Sequence, residues 1–155
     1  MSDIQTQCRV KRAGTTPDTN VPVGRPESLR IRGNERVRVL IVDDSKAMRM
    51  IVGRELRSAG FADLHIAEAA NGVDAMAVVK DFNPELVLSD WNMPGMTGLD
   101  LLKSLRGDGH IVPFGFITTE ASAEMRDAAA DAGAFSFVTK PFTADDLRDA
   151  LAQFA

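Results

Sequence analysis

The chain has 155 residues, 45% apolar and 26% charged, with a formal net charge of −4, which suits one globular domain and a short appendage. No run approaches the roughly 18 apolar residues a membrane helix needs, and the first ten residues lack a signal-peptide core. The single cysteine, Cys8, excludes an intrachain disulfide and a cysteine-based zinc cluster, so a cytoplasmic protein is expected.

Charge divides the chain unevenly. Met1 to Arg38 holds eight Lys or Arg against four Asp or Glu, a net +4, while the remainder holds ten against eighteen, a net −8. Residues 1–36 include Pro17, Pro22 and Pro26 and few large apolar side chains. They read as a basic, disordered extension, and no nucleic-acid role is expected of them.

From Val37 the texture changes. Val37 to Val42 is a β-branched run ending in Asp43-Asp44, and predicts a first strand. Ser45 can cap a helix to Ala59 with Ala47, Met48, Ile51, Val52 and Leu56 on its apolar face and Gly60 as its stop. Leu64 to Ala67 is a second strand, and Asn71 can cap a helix through Val73, Met76, Ala77 and Val79. Leu86 to Leu88 is a third strand ending at Ser89-Asp90. Pro94, Gly95 and Gly98 mark a loop before a helix carrying Leu101, Leu102 and Leu105. Ile111 to Ile117 predicts a fourth strand interrupted by Pro113 and Gly115. Met125, Ala128, Ala129 and Ala132 share one helix face with Gly133 as the stop. Phe135 to Val138 is a fifth strand, and Thr143 can cap a last helix with Leu147, Leu151 and Phe154 along its stripe.

Five short apolar strands alternating with five amphipathic helices predict repeated βαβ units, hence an α/β, doubly wound, five-stranded parallel sheet with helices on both faces. Such sheets bind ligands beyond the carboxyl ends of their strands. The polar residues there are Asp43 and Asp44 after the first strand, Asp90 after the third, Thr118 after the fourth and Lys140 after the fifth. Singly, each has a plain alternative: Asp43 as a helix cap, Thr118 as a partner for loop backbone, Lys140 as a solvated end. Together they form a constellation suited to phosphoryl transfer. Adjacent carboxylates repel, a hard divalent cation relieves the repulsion, and an aspartate can accept phosphoryl as an acyl phosphate.

The segments VLIVDDS (Val39 to Ser45), LVLSDWNMPGMTGLDLL (Leu86 to Leu102), FITTEA (Phe116 to Ala121) and FVTKPFTADDL (Phe137 to Leu147) make residues 37–155 resemble a response-regulator receiver domain of the chemotaxis type. The resemblance implies a flavodoxin-like strand order, 2-1-3-4-5. It implies Asp90 as phosphoacceptor and Mg²⁺ held by the carboxylates of Asp44 and Asp90 and the main-chain carbonyl of Asn92, with Asp43 acting through metal-bound water. It also implies Thr118 as a switch hydroxyl, Lys140 as the cation paired with the phosphoryl group, and a cis bond at Lys140-Pro141. Phe137 matches the aromatic switch residue. Without a phenolic hydroxyl it is expected to favour an inward position.

The implied partners are a histidine kinase as phosphodonor and a downstream protein on the face of the fourth helix, fifth strand and fifth helix. With no sequence after Ala155, no attached output domain is expected. Gly115 stands where a larger apolar residue is usual and is expected to weaken its strand. Thr119 is expected to narrow access to the phosphoryl site. Ser122, Ala123 and Ala150 stand where lysines occur in the chemotaxis pattern. Asn92 and Glu120 match that pattern and favour a chemotaxis-type regulator over a phosphorelay intermediate or phosphate sink.

An aspartyl-phosphate hydrolase is disfavoured, because Asp90-Trp91-Asn92 lacks the D-x-D of such enzymes. The protein is therefore not expected to be an enzyme beyond catalysing its own Mg²⁺-dependent phosphorylation and dephosphorylation. Nucleotide-binding glycine motifs are absent. His65 and His110 read as structural or solvent-facing, and Trp91 as a packing or surface residue placed to report on the site.

Overall fold

The computed structural model describes residues 36–61 and 63–152. The expected N-terminal extension, apart from Arg36, and Phe154 lie outside the described residues. The strands are β1 (Val37–Val42), β2 (Leu64–Ala69), β3 (Leu86–Ser89), β4 (Phe114–Thr118) and β5 (Ser136–Thr139). The helices between and after them are α1 (Lys46–Ser58), α2 (Gly72–Phe82), α3 (Gly98–Gly107), α4 (Ala123–Ala132) and α5 (Ala144–Ala150). All strand pairs are parallel, in the order β2-β1-β3-β4-β5, so β1 and β3 are central and every strand runs towards the same edge.

Strand alternation sorts the core into two layers. Val39 and Ile41 point to one face with Val52 and Leu56 of α1 and Leu147 of α5. Leu40 and Val42 point to the other with Ala75 and Val79 of α2, Leu101, Leu102 and Leu105 of α3, and Phe114 and Phe116 of β4. Full burial of a Leu or Phe contributes about 1.5–3 kcal/mol each before the entropy of ordering is subtracted. Among the described residues, no helix is long and apolar enough to cross a membrane.

Every helix starts on a side-chain cap. Ser45, Asn71, Thr97, Ser122 and Thr143 each accept a hydrogen bond from the backbone N–H three residues on, and Thr97 and Thr143 form reciprocal boxes with Asp100 and Asp146. These caps fix where each helix starts in the segment that follows a strand.

The predicted elements differ from the structure at several places. β4 begins at Phe114, three residues later than expected: Val112 and Pro113 precede the strand, and Ile111 is 86% exposed. Proline cannot donate to a ladder, which explains why pairing starts after it. On α2 the buried positions are Gly72, Ala75 and Val79, while Val73 is 66% exposed. The helix is thus rotated so that Ala75 and Val79 face the core and Gly72 lies against Met96. On α1, Ala47 is exposed although it was placed on the apolar face. Gly115 is matched to its surroundings, since a Cβ there would lie 2.4 Å from Ser136 Oγ and 3.2 Å from Leu88 Cδ2. The space a larger residue would fill is already taken from the neighbouring strand.

Candidate functional site

The carboxyl ends of β1, β3, β4 and β5 bring the acidic pair, Asp90, Thr118 and Lys140 to one edge. β1 delivers Asp43 and Asp44 where pairing ends, and Asp43 N–H donates to Ala69 O at 3.1 Å. Asp90 follows β3 immediately and is tied to β1 by its N–H to Val42 O at 2.9 Å. Asp43, Asp44 and Asp90 each present a carboxylate oxygen within 4.8 Å of the others. Asp43 is buried, Asp90 is partly buried and Asp44 is exposed, so the cluster opens to solvent on one side.

Lys140 reaches this cluster from the turn after β5. Its Nζ donates to Asp43 Oδ2 at 2.9 Å and lies 3.4 Å from Asp90 Oδ2. Asp43 Oδ1 also accepts from Ser45 N–H at 2.9 Å, so the capping role allowed for Asp43 and its place in the cluster coexist. Trp91 N–H donates to Asp90 Oδ1 at 2.8 Å. That bond fixes the plane of the carboxylate and leaves Oδ2 turned towards Lys140. Burial pushes the Asp90 carboxyl above its ordinary value; Lys140 opposes the rise and Asp43 adds to it.

Thr118 is fully buried at the end of β4, and its carbonyl accepts from Lys140 N–H at 2.8 Å. Its Oγ1 lies 3.5 Å from the N–H of Glu120. Asn92 is exposed two residues after Asp90, and its amide donates to Glu120 Oε1 at 2.8 Å, joining the loops that follow β3 and β4. Lys140-Pro141 is cis. Thr119 is exposed.

Phe137 is half-buried on β5 rather than fully inward. Its ring centroid lies 5.9 Å from Phe116 and 6.1 Å from Trp91, and the Arg126 guanidinium sits over it at 4.8 Å. A cation over the ring face offers Phe137 an outer partner that sequence periodicity does not reveal. Trp91 packs at 4.9 Å against Phe116 and so links the Asp90 loop to this aromatic group. His65 is exposed, with its ring edge-on to Phe82, and His110 is partly exposed.

Besides Arg126, sequence reasoning missed two residues that shape the site. Arg49 donates through Nη1 to the main-chain carbonyl of Asp43 and through Nε to Glu68 Oε1; its charge on a helix face carried no signal. Gly98 was read only as a loop marker. A Cβ at Gly98 would lie 2.2 Å from the Asp90 carbonyl oxygen and 2.9 Å from Phe116 Cε1, while Gly98 N–H donates to Trp91 O at 2.8 Å. Gly98→Ala must therefore displace the loop carrying Asp90, at a cost of about 1–3 kcal/mol. Gly107→Ala, in the same helix with nothing within 4 Å of its Cβ, is expected to be neutral or stabilising. Urea unfolding of both variants checks this, and equal stabilities would remove the steric role of Gly98.

A family model described as the response regulator receiver domain matches residues 39–152. The chain is 42% identical over 120 residues to chemotaxis protein CheY-3 of Vibrio cholerae, covering 76% of this chain and 91% of that one. It is 41% identical over 115 residues to chemotaxis protein CheY of Pseudomonas aeruginosa, covering 73% and 91%. The solved structure of Vibrio cholerae chemotaxis protein CheY4 superposes with a TM-score of 0.69 at 32% identity, covering 78% of this chain and 100% of the other.

Proposed function

The chain belongs to the response regulator receiver family, of the chemotaxis type, and on that premise we propose that it is a phosphorylation-driven switch whose acceptor is Asp90. The observation that carries this reading is the three-carboxylate cluster with the Lys140 ammonium inside it. In the proposed step, an Asp90 carboxylate oxygen attacks the phosphorus of a histidine kinase's phosphohistidine. The new O–P bond forms as the P–N bond breaks, and the electron pair returns to the imidazole.

The residues fit a bound Mg²⁺, because three hard carboxylate oxygens converge at an edge that leaves room for water and phosphate oxygens. Asp44 and Asp90 would hold it directly with the main-chain carbonyl of Asn92, and Asp43 through water. When bound it neutralises charge on the transferring group and on the carboxylates. Lys140 pairs with the phosphoryl oxygens, and Trp91 N–H keeps the acceptor carboxylate oriented.

Thr118 then donates to the phosphoryl group from its buried place at the end of β4. This vacates space beside β5, so Phe137 leaves Arg126 and turns inward. The face of α4, β5 and α5 changes with it and with its affinity for a downstream protein. The protein acts as a regulator, and the only chemistry assigned to it is gain and loss of its own phosphoryl group. It works in the cytoplasm, where the kinase's phosphohistidine is presented.

Two measurements test this reading. Mg²⁺ with acetyl phosphate should add one phosphoryl group to the intact mass, and Mg²⁺ alone should change Trp91 emission, since the Trp91 backbone is bonded to Asp90. Asp44→Ala should abolish both responses. An unchanged titration in that variant would remove Asp44 from the ligand set.

A further inference from the structure

Beyond the residues assigned above, and resting on that assignment, we propose that Arg49 is a positioning residue that sets the Mg²⁺ affinity of the acidic cluster by gripping the peptide between Asp43 and Asp44.

The Asp43-Asp44 pair sits on a turn, where β1 has ended at Val42 and α1 has not begun until Lys46. Three of the four polar groups of Asp43 have been accounted for: N–H to Ala69 O, Oδ1 from Ser45 N–H and Oδ2 from Lys140 Nζ. Its carbonyl is the fourth, and Arg49 supplies the donor through Nη1 at 2.5 Å. The carbonyl belongs to the same rigid peptide plane as the Asp44 N–H. Fixing its direction therefore fixes where the Asp44 Cα, and with it the exposed Asp44 carboxylate, is placed relative to Asp90.

Arg49 is itself held at its other edge. Its side chain is 13% exposed, and Nε donates to Glu68 Oε1 of β2 at 2.7 Å. The planar guanidinium thus spans two elements, one bond to the turn and one to the edge strand, a geometry the single ammonium of lysine cannot reproduce. No carboxylate of the cluster accepts from Arg49 in the hydrogen bonds described, so it does not compete for the oxygens a cation uses. Its role is orientation of a ligand-bearing turn, the kind of outer contact whose loss weakens metal binding without removing a ligand.

The test is Mg²⁺ titration of Trp91 fluorescence in the full chain, for the wild type, Arg49→Met, Arg49→Lys and Glu68→Gln, with far-UV circular dichroism as the folding check. Arg49→Met should raise the half-saturating Mg²⁺ concentration about tenfold, the lower end of the range for outer contacts. At saturating Mg²⁺, acetyl phosphate should still label it to the wild-type extent. Arg49→Lys should be intermediate, and Glu68→Gln, which replaces no group bonded to Asp43 and acts through Arg49, should shift the titration in the same direction by a smaller factor. An unshifted titration in both Arg49→Met and Glu68→Gln, beside a normal wild type, overturns the positioning role and leaves the site assignment standing. A wild type with no Mg²⁺ response overturns the site assignment and this inference with it. Arg49→Met that fails to fold, together with an unshifted Glu68→Gln, makes Arg49 structural and overturns the proposal.

Discussion

Asp90→Asn is expected to lose all covalent labelling by acetyl phosphate while becoming more stable than the wild type at neutral pH without Mg²⁺. The first effect follows because an amide offers no anionic oxygen to form an acyl phosphate. The second follows from the direction of the Asp90 shift. Burial raises its pKa in the folded chain, with Asp43 adding to the rise and Lys140 opposing it. A carboxyl whose folded pKa lies above its unfolded value favours folding fully below the unfolded pKa, and that contribution is lost as pH rises through the folded value. At neutral pH the ionised Asp90 is therefore a liability that asparagine lacks. The stability gap between variant and wild type should shrink on acidification and vanish below the ordinary aspartate range. Urea unfolding across pH 3 to 7, on the order of the carboxylate range, reads it directly. Labelling of Asp90→Asn equal to the wild type would place the acceptor elsewhere, and a variant less stable at neutral pH would reverse the sign assigned to the burial of Asp90.

The fold was legible because strand ends and helix starts are written in short-range chemistry. Ser45, Asn71 and Thr143 are readable as caps, and β-branched or Leu runs at Val37 to Val42 and Leu86 to Leu88 are readable as central strands, since both faces of those strands are covered. What failed depended on packing between elements. Ile111 is apolar yet 86% exposed, because Pro113 delays pairing until Phe114. Val73 faces outward because Ala75 is the residue small enough to lie against the sheet. Ser136 Oγ of the neighbouring strand stands where a Cβ on Gly115 would lie, a contact that spacing does not show.

The site divided in the same way. The acidic residues and Lys140 could be named from their places after strands, as strand ends in a parallel sheet must gather at one edge. The residues that orient them could not. Arg49 meets a backbone carbonyl, Gly98 is defined by the absence of a side chain, and Arg126 finds Phe137 across a helix-strand contact. None of these relations leaves a spacing or a composition to read. Each becomes visible only when the partner from another element is in place.

Lys140→Met is expected to destabilise the metal-free protein by about 3 kcal/mol at neutral pH, the lower end for removing one partner of a buried charge group. The lysine, 10% exposed along its side chain, is shared by Asp43 and Asp90, whose side chains are 5% and 12% exposed. Methionine keeps most of the stem and its packing but removes the ammonium. Among the described residues, Asp43 then retains only the Ser45 N–H on its carboxylate, and Asp90 only the Trp91 N–H, while their mutual repulsion loses its screen. Lower cost is expected than for a sealed interior because the cluster opens to water at Asp44. Asp90 should gain its proton more readily in the folded variant, because burial raises its pKa and the lysine that opposed the rise is gone. By the same linkage, the part of the loss that comes from Asp90 should be largest at neutral pH and should shrink as pH falls through the ordinary aspartate range. Added Mg²⁺ should restore stability more strongly in Lys140→Met than in the wild type, since a cation among the carboxylates replaces the missing charge and meets no ammonium there. Phosphorylation by acetyl phosphate at saturating Mg²⁺ should nonetheless fall about 10²-fold, because the donor aimed at the phosphoryl oxygens is gone. Urea unfolding at both ends of the pH range, with and without Mg²⁺, separates the two roles of the lysine. Equal stabilities at neutral pH would show that Lys140 does not offset the carboxylate repulsion, and an unchanged labelling rate would remove it from the transfer step.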